Sequence, residues 1–129
     1  MFINSLGGFP GQYSSFVFRT LGNDGILKLL SESIDRSAYF LSLIAFYDGR
    51  LLSIHEGRVN GRITDRMTEG GWGYDPIFAP DNSDLTFAEL KESKNEYSHR
   101  KRALEKFAHW YLKLMQNHTQ GNILDEPRI

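Results

Sequence analysis

Two aromatic side chains and one carboxylate lie on a glycine-rich segment, residues 70–78, which reads GGWGYDPIF. Its glycines permit a tight turn, and Pro76 stiffens it. On such a turn Trp72 and Tyr74 can present a flat ring face while Asp75 offers hydrogen bonds beside it, which suits a planar heterocyclic ligand. The alternative is that both rings fill a core beneath the turn, and this segment alone favours neither reading.

A second segment combines cations with a predicted helix start. Residues 94–100 read KNEYSHR, and Ser98 is the predicted N-cap of the helix that follows. Backbone N–H groups, the helix dipole and the cations Lys94 and Arg100 would then converge on an anion or a keto oxygen. We expect Lys94, His99 and Arg100 to bind a ligand, whereas the basic residues after Arg100 are interpreted as a solvated helix face.

The surrounding elements must place these two segments. Residues 38–47 are apolar and uncharged, which predicts a strand covered on both faces. The Asp48-Gly49 pair predicts a hairpin turn with positive φ at both positions, followed by a more exposed returning strand over residues 50–59. Glycine and proline dominate residues 60–80, so we expect a functional loop there with short extended pieces.

Helices are predicted on both sides of this hairpin. One runs from about Phe16 into Gly22, and a second follows with Asn23 or Asp24 as its cap. After Ser98, apolar residues at helical spacing predict one long amphipathic helix that covers residues 38–47. Its predicted apolar stripe consists of Leu104, Phe107, Ala108, Tyr111 and Met115.

These elements predict a mixed α/β fold, a mixed sheet with packed helices, in a single domain over residues 1–118 with a C-terminal tail at residues 119–129. A length of 129 residues and 40% hydrophobic content suffice for one core. A net charge of −1 supplies no global field to attract nucleic acid or an anionic membrane.

The chain has no cysteine, which excludes disulfides and thiolate metal sites and fits a reducing cytoplasm. Its longest apolar run is far shorter than the roughly 18 residues of a membrane span. No signal peptide is predicted from its first residues.

Five motif blocks follow one another in order. They are LGGFPG at residues 6–11, EG at 56–57 with GRI at 61–63, GGWGYDPIF, TFAEL at 86–90, and KNEYSHR followed by AL at 103–104. This series resembles the inosine triphosphate pyrophosphatase family, which hydrolyses non-standard purine nucleoside triphosphates. One block alone would be weak, whereas five in order with similar spacing are specific.

The resemblance implies roles for individual positions. Trp72 stands where the family usually has a phenylalanine stacked on the purine, and the following three residues match the segment that closes around the nucleotide. Lys94 matches a lysine that contacts the nucleotide, and His99 with Arg100 match the pair that reads the six-position of the base. The predicted substrate-binding residues are Trp72, Gly73, Tyr74, Asp75, Lys94, Ser98, His99 and Arg100.

The chemistry of Arg100 agrees with that role. A guanidinium has only donors, so it satisfies the O6 acceptor of hypoxanthine or xanthine but not the amino group of adenine. A mismatched base would leave a buried group unpaired, at about 1–3 kcal/mol per group. The implied substrates are ITP, dITP and XTP, hydrolysed to the monophosphate and pyrophosphate.

The sequence departs from the family pattern at its N-terminal end. The family's phosphate-binding loop, magnesium glutamate and short acidic motif all precede the stretch that matches residues 2–14, and no counterpart occurs in this chain. The resemblance implies Mg²⁺ as cofactor, but the residues that usually bind it are absent. We therefore expect an N-terminally truncated member with little or no activity, and we assign no catalytic residue and no metal ligand.

Two other functions stay open. One is a non-catalytic nucleotide-binding or dimerisation module that keeps the base pocket. The other is a nucleic-acid binder that uses Trp72, Tyr74 and the basic helix start, although the near-zero net charge argues against it. Because a missing lobe would expose apolar sheet surface, we also expect a homodimer.

Overall fold

A computed structural model describes residues 1–119, apart from the side chains of residues 95, 118 and 119. Within this range one sheet has the strand order β1-β2-β3-β4. The predicted mixed α/β fold with packed helices is confirmed. The strands are β1 (Phe2–Ile3), β2 (Ser37–Tyr47), β3 (Leu52–Ile63) and β4 (Phe78–Pro80), and the helices are α1 (Ser14–Thr20), α2 (Gly22–Leu29), α3 (Phe87–Leu90) and α4 (His99–Thr119).

The chain divides into two compact units. The first comprises Met1–Phe40 with Val59–Tyr97, and the second comprises Leu41–Arg58 with residues 98–119 of the described chain. Strands β2 and β3 contribute residues to both. The single domain over residues 1–118 stays a prediction, and the predicted tail lies outside the described residues from position 120 onward.

The first unit is built around an apolar core. Ile3, Ile26, Leu30, Ile77 and Phe78 are completely buried in it. Removal of such side chains from water supplies most of the stability of a small unit. The core therefore fixes α2, β1 and β4, and of these α2 contacts the glycine-rich segment and β4 follows it directly.

Strand β3 is longer than predicted and continues to Ile63, into the segment expected to be a loop. Strand β4 pairs antiparallel with this extension, with Gly61 opposite Pro80 and Ile63 opposite Phe78. A Cβ atom at Gly61 would overlap the carbonyl oxygen of Ala79. Gly61 thus allows β4 to approach β3 closely, which is one established use of glycine inside a strand.

The turn between β2 and β3 lies where the sequence predicts it, but its geometry differs. Gly49 has φ of 97°, whereas Asp48 is not among the residues with positive φ. The Asp48 carboxylate accepts hydrogen bonds from the backbone N–H groups of Arg50 and Leu51, at 2.9 and 2.8 Å. The bond from Leu51, followed by that from Arg50, lowers the pKa of Asp48. The prediction of two positive φ angles was wrong because this side chain closes the turn.

In the second unit, the strand segment of β2 is covered on one face only. Phe46 contacts Phe107 and Tyr111 of α4, with ring centroids 5.9 Å apart in both pairs. Leu43 and Tyr47 are 60% and 68% exposed. The expected packing by Phe107 and Tyr111 is confirmed, but the expected cover on both faces was wrong for this half of β2.

The apolar stripe of α4 also differs from the predicted one. Leu104 is exposed, as are Ala108 and Met115, so Leu104 does not cover β2 as expected. The side chains turned inward recur at positions 103, 107, 110, 111 and 114. This stripe is rotated by one position because Ala103 lies against the backbone of Gly57 on β3.

The helix starts give one confirmed prediction and one error. Ser98 caps α4, since its Oγ accepts the N–H of Lys101 at 3.2 Å. Helix α2 begins at Gly22 without a side-chain cap, so neither Asn23 nor Asp24 has the capping role predicted for it. Of the helices in residues 1–119, none combines the length and hydropathy that a membrane span requires.

Candidate functional site

Residues 70–75 form a tight turn, called here the Trp72 loop. Gly70, Gly71 and Gly73 have φ of 90°, 65° and 60°, a region that residues with a Cβ rarely adopt. The backbone therefore reverses within a few residues and directs Trp72 outward, where its side chain is 70% exposed. An indole held in this way offers a ring face on which a planar ligand can stack.

Tyr74 has the opposite environment, since it is buried in the core of the first unit. Its hydroxyl donates to the carbonyl oxygen of Ser14 at 2.6 Å, and its ring packs edge-on against Phe18 of α1. Burial raises the pKa of Tyr74 to about 12. The interpretation of the two rings as core packing thus applies to Tyr74 but not to Trp72.

Asp75 is buried and paired with a cation. The Lys94 Nζ lies 2.9 and 3.0 Å from its two carboxylate oxygens. One of these oxygens also accepts the N–H of Trp72 at 3.3 Å, so the carboxylate closes the loop on itself. Lys94 further lies 5.2 Å from the ring centroid of Phe87. Asp75 and Lys94, two of the predicted site residues, are therefore brought together as an ion pair that braces the loop.

A short network supports the segment that follows Asp75. The N–H and hydroxyl of Thr68 both donate to the carbonyl oxygen of Pro76, and its hydroxyl shares a hydrogen bond with Thr86. Thr86 and Glu89 form a capping box at the start of α3. The spacing of threonine and glutamate is a sequence signal for such a box, so this support could have been found from the sequence.

Asn23 is a contact that the sequence interpretation missed. Its side-chain amide leaves α2 and donates to the carbonyl oxygen of Gly73 at 3.0 Å. The two residues are fifty positions apart, and no local pattern links them. Asn23 is the second residue of α2, where an asparagine is usually interpreted as a cap, so no sequence signal indicates this contact.

Ser98, His99 and Arg100 open α4 in the second unit, whereas the other predicted site residues belong to the first unit. The Arg100 side chain is exposed. The predicted meeting of Trp72 and Arg100 in one cleft, and the ligand contacts of Lys94, Ser98, His99 and Arg100, stay predictions.

The described residues do not fit a bound Mg²⁺ ion. Among residues 1–119, no group of three or more His, Cys, Asp or Glu side chains lies close enough to hold a metal ion. Asp75 is engaged by Lys94, and Asp65 lies 3.5 Å from the guanidinium of Arg36. Phosphoanhydride hydrolysis with a metal needs a positioned set of oxygen ligands, so we derive no catalytic step through Mg²⁺ in this chain.

Comparison with known proteins gives consistent matches. The sequence profile of the Ham1 family matches residues 1–110. The dITP/XTP pyrophosphatase of Thermococcus kodakarensis is 52% identical over 112 residues, which cover 85% of this chain and 60% of that protein. The dITP/XTP pyrophosphatase of Methanopyrus kandleri is 50% identical over 115 residues, covering 86% of this chain and 61% of that protein.

Solved structures agree with the sequence matches. A HAM1 protein from Coxiella burnetii superposes with a TM-score of 0.79 at 31% identity, over 87% of this chain and 63% of that one. The Staphylococcus aureus Ham1 protein gives a TM-score of 0.71 at 31% identity, over 95% of this chain and 64% of that one. This chain spans about 60% of the length of the curated relatives it matches. The resemblance seen in the motif series is thus confirmed, and the chain belongs to the Ham1 family.

Proposed function

We propose that this chain is the base-recognition part of a nucleoside triphosphate pyrophosphatase for non-standard purine nucleotides such as ITP, dITP and XTP. The observation that carries the proposal is the Trp72 loop, in which three positive-φ glycines and the ion pair of buried Asp75 with half-buried Lys94 hold an exposed indole. The names of the relatives, dITP/XTP pyrophosphatases, support the same substrate class.

In this proposal Trp72 stacks on the purine and Arg100 donates to its six-keto oxygen. Gly73, Tyr74 and Asp75 shape the wall of the base site. Lys94 balances the charge of the buried Asp75. The third N–H donor of the Lys94 ammonium group binds a phosphate of the ligand. Ser98 and His99 complete the site at the start of α4. A stacked purine excludes water from these donors, which strengthens each hydrogen bond to the base.

The proposal separates binding from turnover. Base recognition lowers the free energy of the bound nucleotide, whereas the rate depends on interactions that strengthen in the transition state. In the family pattern these come from the metal, its carboxylates and the group that activates water. We therefore expect this 129-residue chain to bind inosine nucleotides but to hydrolyse them poorly, even with Mg²⁺.

The test compares this chain with the full-length relative from Thermococcus kodakarensis. Pyrophosphate release from dITP with Mg²⁺ is measured for both, and dITP binding to this chain is measured by calorimetry. We expect binding by this chain with turnover reduced on the order of a hundredfold or more. Trp72→Ala should weaken binding severalfold, whereas Tyr47→Ala, which removes a similarly exposed ring from the second unit, should not.

Two outcomes would contradict the proposal. Turnover comparable with that of the relative would mean that this chain holds a metal site of its own. No measurable preference for dITP over dATP would remove the base-recognition role. A chain that binds dITP as expected and still releases no pyrophosphate when supplied in trans with the N-terminal segment of the relative would favour the alternative, a non-catalytic nucleotide-binding module.

The proposed partners follow from the same site and from the composition. The ligand is a purine nucleoside triphosphate, and a second copy of the chain is the proposed protein partner. The net charge of −1 argues against nucleic acid. The absence of cysteine fits the cytoplasm, which we propose as the compartment.

A further inference from the structure

The Trp72 loop depends on a side chain from outside its own sequence. Asn23 of α2 donates its Nδ2–H to the carbonyl oxygen of Gly73 at 3.0 Å. The Asn23 side chain is nearly buried, with the residue 9% exposed. The accepting carbonyl oxygen of Gly73 belongs to the peptide group between Gly73 and Tyr74. The hydrogen bond therefore restricts the orientation of that peptide plane.

Packing at the Cβ position of Gly73 does not restrain this peptide. Gly73 has φ of 60°, and a Cβ built on it would meet no atom within 4 Å, so the space beside it is open. The other bonds of the loop involve its neighbours, since the N–H of Trp72 donates to Asp75, the Tyr74 hydroxyl donates to Ser14, and the N–H of Asp75 donates to the carbonyl oxygen of Trp72 at 3.1 Å across the turn. Glycine has the largest conformational freedom of any residue, so a bond made directly to the Gly73 carbonyl oxygen further restricts the orientation of this peptide.

The Oδ1 atom of the Asn23 amide supports the same role independently. This oxygen is buried and accepts no hydrogen bond from any described residue. A buried acceptor without a partner is destabilising, so an apolar side chain would suit this place in α2 better if packing were its only role. The amide is therefore best explained by its donor, which binds Gly73.

We infer that Asn23 is a positioning residue for base recognition, which fixes the Gly73–Tyr74 peptide and so orders Trp72 before a nucleotide binds. Ordering a loop in advance reduces the entropy lost on binding and improves affinity without adding a ligand contact. The inference deepens the proposed function and rests on it for the identity of the ligand. The ordering of the loop itself does not depend on any ligand.

Hydrogen exchange of the free chain, followed by mass spectrometry, tests the ordering directly. Asn23→Ala removes the donor, and Asn23→Asp keeps the size but sets a carboxylate against the Gly73 carbonyl. We expect exchange of the amides of residues 70–77 to accelerate about tenfold in both variants, as loss of one buried hydrogen bond predicts. Residues 59–63 of β3 should exchange as in the wild type.

Asn4→Ala is the matched control. It removes an asparagine of the same unit, whose amide donates to the Ser37 hydroxyl and not to the loop. Its residues 70–77 should exchange at the wild-type rate. Equal acceleration across all segments in the Asn23 variants would indicate general destabilisation and would overturn the inference, as would an unchanged exchange rate at residues 70–77.

A second arm adds inosine monophosphate as the probe. The wild type should gain protection at residues 70–77, and Asn23→Ala should bind the probe severalfold more weakly. If the Asn23 variants loosen the loop but the probe protects nothing in the wild type, the inference on ordering stands and the proposed function fails. If the probe protects the wild type and binds Asn23→Ala with the same affinity, the positioning role is wrong.

Discussion

At the scale of single residues, Arg100 is the side chain on which the proposed base preference depends. Arg100→Lys keeps the charge but loses the planar pair of donors that a keto group can accept from. We expect the affinity for inosine triphosphate to fall more than the affinity for ATP. The ratio of the first affinity to the second should decrease about tenfold, as one lost hydrogen bond to a buried group predicts.

Calorimetric titration of both nucleotides measures this ratio. Lys101→Arg changes the neighbouring exposed cation and should leave the ratio unaltered. Equal weakening for both nucleotides would show that Arg100 is a general anion contact. A structure with Trp72 and Arg100 on opposite faces would reject the shared cleft.

Tyr74 gives a prediction on pH. Burial raises its pKa from 10 to about 12, so the folded state favours the neutral hydroxyl. The stability that this provides is fully present below pH 10 and is lost as the pH rises through 12. Tyr74→Phe should lower the free energy of unfolding at pH 7 by about 0.5–1.5 kcal/mol, through loss of the bond to Ser14.

The difference in the free energy of unfolding between wild type and Tyr74→Phe should then shrink between pH 10 and pH 12, because only the wild type loses the contribution of the neutral Tyr74 hydroxyl. Urea unfolding at intervals of half a pH unit follows the difference, and titration of the remaining tyrosines and lysines is common to both proteins. A constant difference over that range would mean that Tyr74 ionises as an exposed phenol does.

At the scale of elements, the approach of α4 to β3 in the second unit depends on one glycine. A Cβ at Gly57 would overlap the carbonyl oxygen of His99 and the backbone nitrogen of Ala103. Arg102 adds a bond from its guanidinium to the carbonyl oxygen of Arg58, at 2.7 Å. Backbone atoms cannot move aside as a flexible side chain can, so the helix itself would have to shift.

We therefore expect Gly57→Ala to lower the free energy of unfolding by about 1–3 kcal/mol, as overpacking usually does. Glu56→Ala changes the exposed neighbour on the same strand and should alter stability by less than about 0.5 kcal/mol. Chemical denaturation followed by circular dichroism measures both. A Gly57→Ala protein as stable as the wild type would show that α4 is not in close contact with this strand.

At the scale of the whole molecule, apolar surface remains exposed on α4 and on β2. Leu104, Leu112 and Met115 are exposed on the helix, and Leu43 and Tyr47 on the strand. Exposed apolar side chains on two elements of one unit favour self-association. We predict a homodimer, whose population in light scattering rises with protein concentration.

Leu112→Glu places a charge among the exposed apolar side chains of α4 and should shift the equilibrium towards monomer. Gln116→Glu makes the same change in net charge at an exposed polar position one turn further along and should leave the equilibrium unaltered. A wild-type chain that stays monomeric at every concentration would reject the predicted homodimer.

The sequence by itself determined the family, the mixed α/β fold, the hairpin at Asp48-Gly49 and the Ser98 cap. It could do so because these depend on local composition, on turn chemistry and on an ordered motif series, which are visible along the chain. The glycine-rich Trp72 loop was likewise evident, since glycines mark backbone that other residues cannot adopt.

Only the tertiary structure decided which way side chains point and which distant partners they meet. It buries Tyr74 and exposes Trp72, although the two are neighbours in one motif. It rotates the inward stripe of α4 because Ala103 lies against Gly57. It also turns Asn23 from a predicted cap into the partner of Gly73, fifty residues away. Such contacts depend on the packing of several elements at once, and no periodicity in the sequence encodes them.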